Sequence, residues 1–197
     1  MPTDDIQTEL IEPDSPNSSP KSQNSHIPEL WSHAPHKCHL HVIDDRWNAV
    51  IDTALAGDFW RAAKYIPEAH SGSIFDFGLI WTDAEHIQSL NGGFRGKDQP
   101  TNVLSFPDGT TDPETGEIYL GDIFLCWDVM AQEATNQQIS LRSHTLHLML
   151  HGLLHLLGYD HMTSDEAASM EQLETKLLAK IHVPDPYAAD PIQAEII

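Results

Sequence analysis

The segment from His151 to His161 holds three histidines at a spacing suited to metal binding. His151 and His155 are four residues apart in a strongly apolar segment, so on a helix their Cβ atoms lie about 5–6 Å apart on one face. Gly158 stands where a left-handed residue would end that helix, and the turn after it can bring His161 back toward the first two imidazoles. Three neutral nitrogens directed at one point predict a metal site.

Zinc is the first choice for this metal. Three imidazoles without a fourth protein ligand are typical of a catalytic zinc, since the open position can hold the water that the ion acidifies to a pKa of about 7. Nickel and copper accept the same ligands, so the metal's identity stays open. We predict one zinc per chain, bound by His151, His155 and His161.

His147 lies one helical turn before His151 and competes with His161 as third ligand. Positions 147, 151 and 155 of a straight helix would span about 12 Å, too far for one ion with bonds of about 2.0–2.1 Å. We therefore expect His147 to support a ligand, to face the substrate or simply to pack.

The residue after the first histidine bears on the reaction. In His-Glu-x-x-His metallopeptidases this position holds the general base, and here it is Gly152, which disfavours a peptidase. Asp160, just before His161, could orient an imidazole or position the attacking water, or could be a turn residue without chemistry.

The histidine segment and two segments upstream of it resemble the signature of the YbeY family of bacterial single-strand-specific endoribonucleases. The upstream segments are Asn91 with 94–107 (FRGKDQPTNVLSFP) and 120–123 (LGDI), all in the family's order. The resemblance covers roughly residues 38–182. It implies a zinc-dependent RNA hydrolase with the three histidines as ligands and Arg95 as an important active-site residue.

Residues near Arg95 are further candidates. From their types alone, Arg95 and Lys97 are a solvated surface pair on a glycine-flanked loop before a strand. With the resemblance, Arg95 would direct its planar guanidinium at charge developing on the phosphate, and either water or an RNA 2′-hydroxyl could be the nucleophile on the phosphodiester. Asn102 and Ser105 could bind the substrate or merely hold the strand.

The function that the resemblance implies is processing of the small-subunit ribosomal RNA 3′ end, ribosome maturation and ribosome quality control. The partners would be a single-stranded rRNA precursor and small-subunit components. One alternative is a non-catalytic ribosome-assembly factor with a structural metal, which a fourth protein ligand would favour. A metallopeptidase is a further alternative, disfavoured by Gly152.

Composition limits the partners and the compartment. The net charge of −20 over 197 residues argues against a general nucleic-acid binder, so RNA contact would need a local positive spot formed by the metal with Arg95 and Lys97. The two cysteines are too few for a disulfide framework. No apolar run approaches about 20 residues, and acidic Asp4 and Asp5 do not suit a signal peptide. We expect a cytoplasmic protein without a membrane partner.

Three regions are expected along the chain. Residues 1–36 form a polar, acidic N-terminal extension with too little apolar surface to fold, residues 37–183 the YbeY-like domain, and residues 184–197 a flexible tail. A second histidine group lacks a helix or turn that would converge it, and we expect it to be exposed or at strand edges. Its members are His33, His36, His39 and His41.

The order of the predicted elements indicates a single α+β domain with a mixed four-stranded sheet packed by helices, the zincin-like arrangement that the resemblance also implies. The predicted strands are 40–43, 75–81, 101–106 and 119–127, with a polar loop at 108–117. The predicted helices are 47–55, 59–66 after an interruption at Gly57-Asp58, 84–90 ending near Gly92-Gly93, 141–157 and 164–181.

Overall fold

The sheet has five strands, one more than the sequence predicts, in the order β1-β2-β3-β5-β4. The structure is a computed structural model that describes residues 30–66 and 74–188. Within these residues the strands are β1 (Leu30–His33), β2 (His36–Val42), β3 (Asp76–Thr82), β4 (Val103–Thr111) and β5 (Ile118–Cys126). The α-helices are α1 (Thr53–Ala63), α2 (Ala84–Arg95), α3 (Trp127–Asn136), α4 (Leu141–Leu156) and α5 (Ser164–Ala179).

The sheet is mixed, as predicted. Strands β2, β3 and β5 run parallel, while β1 and β4 pair antiparallel at the two edges. The α+β class and the mixed sheet are therefore confirmed, and the strand number is corrected to five.

The additional strand β1 lies in the segment assigned to the N-terminal extension. Trp31 is the one buried side chain of β1, and its ring meets Trp81 of β3 at 6.2 Å in an edge-to-face contact. A single inward residue in a polar strand leaves almost no alternation to detect, which explains the omission. Residues 1–29 and 189–197, the remainder of the predicted extension and tail, lie outside the described residues.

Three helical regions differ from the prediction. A 3₁₀ helix occupies Asp45–Ala49, and α1 then runs through Gly57 without interruption. Helix α2 continues through Gly92-Gly93 to Arg95 and ends at the left-handed Gly96, so Arg95 lies on a helix rather than a loop. Helix α3 was not predicted, and β4 extends into the expected 108–117 loop.

Helix α4 occupies the centre of the molecule and carries four histidines, at positions 144, 147, 151 and 155. It is apolar on nearly all sides, with Leu146, Met149 and Leu153 among its buried residues. It packs against β4 and β5 on one side and against α1, α3 and α5 on others. A helix enclosed in this way holds its side chains in fixed positions, which suits a metal site.

Among the described residues, none of the helices combines the length and the apolar character that a membrane span requires.

Candidate metal and active site

The C-terminal end of α4 turns the chain back as predicted. Gly158 adopts φ 87°, the left-handed region that favours glycine. Its N–H donates to the His155 carbonyl at 3.0 Å, and the Tyr159 N–H donates to the Leu154 carbonyl at 3.0 Å. This pair of bonds is a Schellman motif, which satisfies the last helical carbonyls and directs the following residues toward the helix face.

The three predicted ligands meet at one point. Nε2 of His151 lies 3.1 Å from Nε2 of His155, and one ligand nitrogen from each of the three rings falls within 4.8 Å of the others. The His161 ring centroid is 4.9 Å from that of His155. A tetrahedral zinc with bonds of about 2.0–2.1 Å holds two ligand nitrogens about 3.3 Å apart, so the separation of the helical pair fits a shared ion.

Hydrogen bonds to Nδ1 of His151 and His155 determine which ring nitrogen can bind a metal. Nδ1 of His151 lies 2.9 Å from Oε1 of Glu174, and Nδ1 of His155 lies 3.0 Å from the Tyr159 carbonyl oxygen. A carboxylate and a carbonyl only accept, so each Nδ1 carries the proton and each Nε2 presents a lone pair. Two lone pairs 3.1 Å apart repel each other unless a cation lies between them. The donor set therefore fits a metal ion.

Burial keeps His155 neutral. Burial first, and then the neighbouring His151 and His161 rings, lower the pKa of His155 to about 4. An imidazole with such a pKa is unprotonated at pH 7 and needs no proton release before it binds a metal.

Glu174 of α5 is a candidate functional residue that the sequence analysis missed. Its side chain is 1% exposed and touches His151, His147 (Nε2 to Oε2, 2.8 Å) and the hydroxyl of Tyr187, which donates at 2.5 Å. Burial acts to raise the pKa of this carboxyl, but the hydrogen bonds outweigh burial and hold the pKa at about 2. A carboxylate behind a ligating histidine orients the ring and makes the ligand more basic.

A sequence signal for Glu174 did exist. The buried positions of α5 are 170, 174, 177 and 178, the spacing of one helix face, and an acid stands among apolar residues at the second of them. An ionised acid in a buried stripe needs partners, which identifies it as a candidate for a site.

A second group of donors overlaps the first. His147, His151 and Glu174 also place one donor atom each within 4.8 Å of the others. Their mutual hydrogen bonds account for this proximity without an ion. Tyr187, which completes the group, lies in the segment predicted as a flexible tail, although its phenol binds Glu174.

Gly152 leaves no room for a side chain. A Cβ at this position would lie 2.6 Å from Cγ2 of Ile123 on β5 and 3.1 Å from Oγ of Ser105 on β4. The helix therefore rests directly on the sheet at the position where a metallopeptidase carries its catalytic glutamate.

Arg95 and Lys97 lie at the end of α2 and just beyond it. Both side chains are exposed, and among the described residues no hydrogen bond or ring contact joins either of them to the three histidines. Their predicted role toward a substrate stays a prediction.

The remaining candidates have partners of their own. Ser105 Oγ donates to the Gly152 carbonyl at 3.3 Å, which places it against the histidine-bearing helix α4. Asn102 donates to the Glu133 carboxylate at 3.1 Å and accepts from the Val103 N–H, so it braces the start of β4. Asp160 accepts from the backbone N–H of His161 at 2.8 Å; the side-chain acceptor that orients a ligand ring is Glu174.

Comparison with known proteins identifies the family. The family model described as endoribonuclease YbeY matches residues 43–182. A protein named endoribonuclease YbeY from Sphingopyxis alaskensis is 41% identical over 149 residues, covering 72% of this chain and 88% of its own. A protein of the same name from Zymomonas mobilis is 41% identical over 157 residues, covering 72% and 84%. Another from Paramagnetospirillum magneticum is 46% identical over 120 residues, covering 58% and 72%. A solution structure from Thermotoga maritima aligns with 76% of this chain and 99% of its own at 21% identity and a TM-score of 0.46. The chain belongs to the endoribonuclease YbeY family, whose named members are hydrolytic nucleases.

Proposed function

We propose that this protein is a zinc-dependent endoribonuclease that cleaves single-stranded RNA. The observation that carries the proposal is the 3.1 Å approach of the His151 and His155 Nε2 atoms, with both ring protons held on the opposite nitrogens. His161 joins them, and among the described residues no other histidine, cysteine or carboxylate enters this group. Three protein ligands are the number typical of a catalytic zinc rather than a structural one.

The chain's own residues would share the work. His151, His155 and His161 would hold one zinc, which when bound would activate water and polarise the phosphoryl oxygens. Glu174 keeps the His151 ring in the tautomer that binds a metal. The Arg95 guanidinium would donate a planar fork to the negative charge that develops on the phosphate, and Asp160 would position the attacking water.

The proposed substrate is a precursor of ribosomal RNA, cleaved near the small-subunit 3′ end during ribosome maturation and quality control in the cytoplasm. The family membership supports this assignment, since the relatives are named endoribonucleases. The high acidity of the chain suits a substrate presented by a larger assembly, because a net charge of −20 repels free RNA. Small-subunit components would provide that assembly.

One experiment compares three functions. Metal-analysed wild-type protein, Arg95→Ala and His155→Ala would each be incubated with an unstructured RNA, the same RNA in a duplex, and casein. We expect the wild type alone to cleave the single strand, with duplex and casein intact. A wild type that binds zinc but cleaves nothing would indicate an assembly factor, and casein cleavage would indicate a peptidase.

A further inference from the structure

Phe94 exposes most of its aromatic ring to solvent. Its side chain is 71% exposed, more than any aromatic residue among those described. The ring is nevertheless held in place, because it packs against Phe106 of β4 at 4.8 Å, and Phe106 contacts Phe124 of β5 edge-to-face at 5.5 Å. A large apolar surface that is both exposed and braced is typical of a binding site.

Two basic side chains next to Phe94 have no acidic partner. Arg95 and Lys97 form no ion pair within the described part of the chain. Asp98, the nearest acid in sequence, accepts a hydrogen bond from Gln88 at 2.8 Å. Of the other basic residues described, four are paired with carboxylates, namely Lys37, Arg46, Arg61 and Arg142. Three lysines have other partners: Lys64 and Lys180 lie over the Tyr65 ring, and Lys176 donates to Gln172.

Phe94 and helix α4 lie on opposite faces of the edge strand β4. Successive side chains of β4 point to opposite faces of the sheet. Ser105 contacts Gly152 of α4 on one face of the sheet. The next residue, Phe106, points to the opposite face, where its ring packs against Phe94. Since β4 is an edge strand, a flexible polymer that crosses this edge can touch the platform and the metal-bearing side together.

We propose that Phe94 is a stacking platform for one unpaired base of the RNA substrate, next to the Arg95 that acts on the cleaved phosphate, with Lys97 contacting a flanking phosphate. The inference rests on the proposed function and assigns to it a source of single-strand specificity. A base in a duplex has both faces covered by its neighbours and cannot stack on a protein ring, whereas an unpaired base can. Stacking tolerates every base, so the platform selects strandedness and not sequence.

The test uses metal-loaded protein and a short labelled unstructured RNA. Loss of one base–aromatic stack weakens binding substantially, so we expect Phe94→Ala to raise Kd and KM by about 10-fold. Phe94→Trp should bind at least as tightly as wild type. Phe94→Leu should be as weak as Phe94→Ala, since leucine keeps an apolar contact with Phe106 but offers no ring.

The matched control is Tyr65→Ala. Tyr65 is 49% exposed and also lies between two lysines, with Lys64 Nζ 5.1 Å and Lys180 Nζ 4.7 Å from its ring centroid. It lies just after α1 and not beside β4, so its removal should leave Kd unchanged. Thermal melting of every variant shows whether the fold is kept.

Binding of an RNA without bases distinguishes stacking from phosphate contacts. An RNA with an abasic site at each position keeps its phosphates but has no base to stack, so wild type and Phe94→Ala should bind it equally weakly. The preference of wild type for binding single strands over duplexes, as a ratio of Kd values, should fall by about 10-fold in Phe94→Ala.

The outcomes separate the two proposals. If wild type cleaves the single strand and Phe94→Ala has the wild-type KM, the platform is wrong and the nuclease assignment stands. If Phe94→Leu binds as well as wild type, Phe94 contributes packing and not stacking. A metal-loaded wild type that neither binds nor cleaves RNA overturns both proposals.

Discussion

Glu174 and His151 connect two helices through one hydrogen bond, with Oε1 of the acid 2.9 Å from Nδ1 of the ring. The acid is buried on α5, and the histidine presents its other nitrogen to the candidate metal position on α4. The orientation of the ligand is therefore set by a residue that does not belong to the histidine segment.

Glu174→Ala should weaken zinc binding by about 10- to 100-fold, because the His151 ring loses the acceptor that holds its tautomer and direction. Glu174→Gln keeps an acceptor oxygen and should lose less. Competition with a chromophoric chelator measures both affinities.

The control for this change is Glu171→Gln, which removes an exposed carboxylate from the same helix. It should bind zinc as wild type does. Equal affinities for Glu174→Ala and wild type would show that the ring is oriented without the acid.

Single-histidine variants distinguish the two overlapping donor groups. His155→Ala and His161→Ala should lose most bound zinc after dialysis, while His147→Ala should keep about one ion per chain, because His147 already bonds to Glu174. Elemental analysis gives the metal content. Retention of zinc in His161→Ala together with its loss in His147→Ala would instead locate the ion between His147, His151 and Glu174.

Arg95→Ala should keep zinc and thermal stability yet reduce RNA cleavage by about 10²–10³-fold, since a group that stabilises transition-state charge contributes to kcat and not to packing. Arg95→Lys should recover only part of the rate, because an ammonium group cannot form the bidentate fork.

Arg61→Ala is the matched control for Arg95. Arg61 is an exposed arginine near the end of α1, paired with Asp58 at 3.0 Å, and its loss should leave cleavage unchanged. Full activity in Arg95→Ala beside an inactive His155→Ala would exclude the arginine role and preserve the metal mechanism.

Gly152→Ala should destabilise the protein by about 1–3 kcal/mol, because the new methyl group would be forced against Ile123 and Ser105. Gly57→Ala is the comparison, since a Cβ on that helical glycine meets nothing within 4 Å. The latter should stabilise the protein by about 0.5–1 kcal/mol through the better helix propensity of alanine. Denaturant unfolding of both variants, with zinc present, measures the change in the free energy of unfolding. Equal stabilisation of both variants would mean that the sheet shifts to accommodate the methyl group at position 152.

The histidine site could be predicted because its geometry is local. A four-residue spacing and a glycine turn are set within one segment, and the structure brings the three rings together. Glu174 is 23 residues from its partner His151 on a separate helix, so nothing in the histidine segment indicates it. The sequence pattern indicates which face of each helix is buried, but it does not indicate which helices pack against each other.

The errors in the predicted helices have similar causes. Gly92 and Gly93 suggest a helix end, since each glycine costs about 1 kcal/mol in a helix. Tertiary contacts outweigh that cost, as Ile87 is buried and the Asn91 amide donates to the Gln99 carbonyl at 2.8 Å. Helix α3 begins at Trp127, and its N-cap residue Cys126 makes no side-chain cap hydrogen bond, so the usual start signal is missing.

The close fit at Gly152 also limits how this protein could diverge. A glutamate there would require space to be cleared on two strands, at Ile123 and at Ser105, before the longer side chain could be accommodated. A glutamate introduced at Gly152 alone would therefore overpack the contact between α4 and the sheet. Strongly exposed residues such as Phe94 and Met162 can vary without disturbing the buried helix, so a change of substrate is more accessible to evolution at those positions.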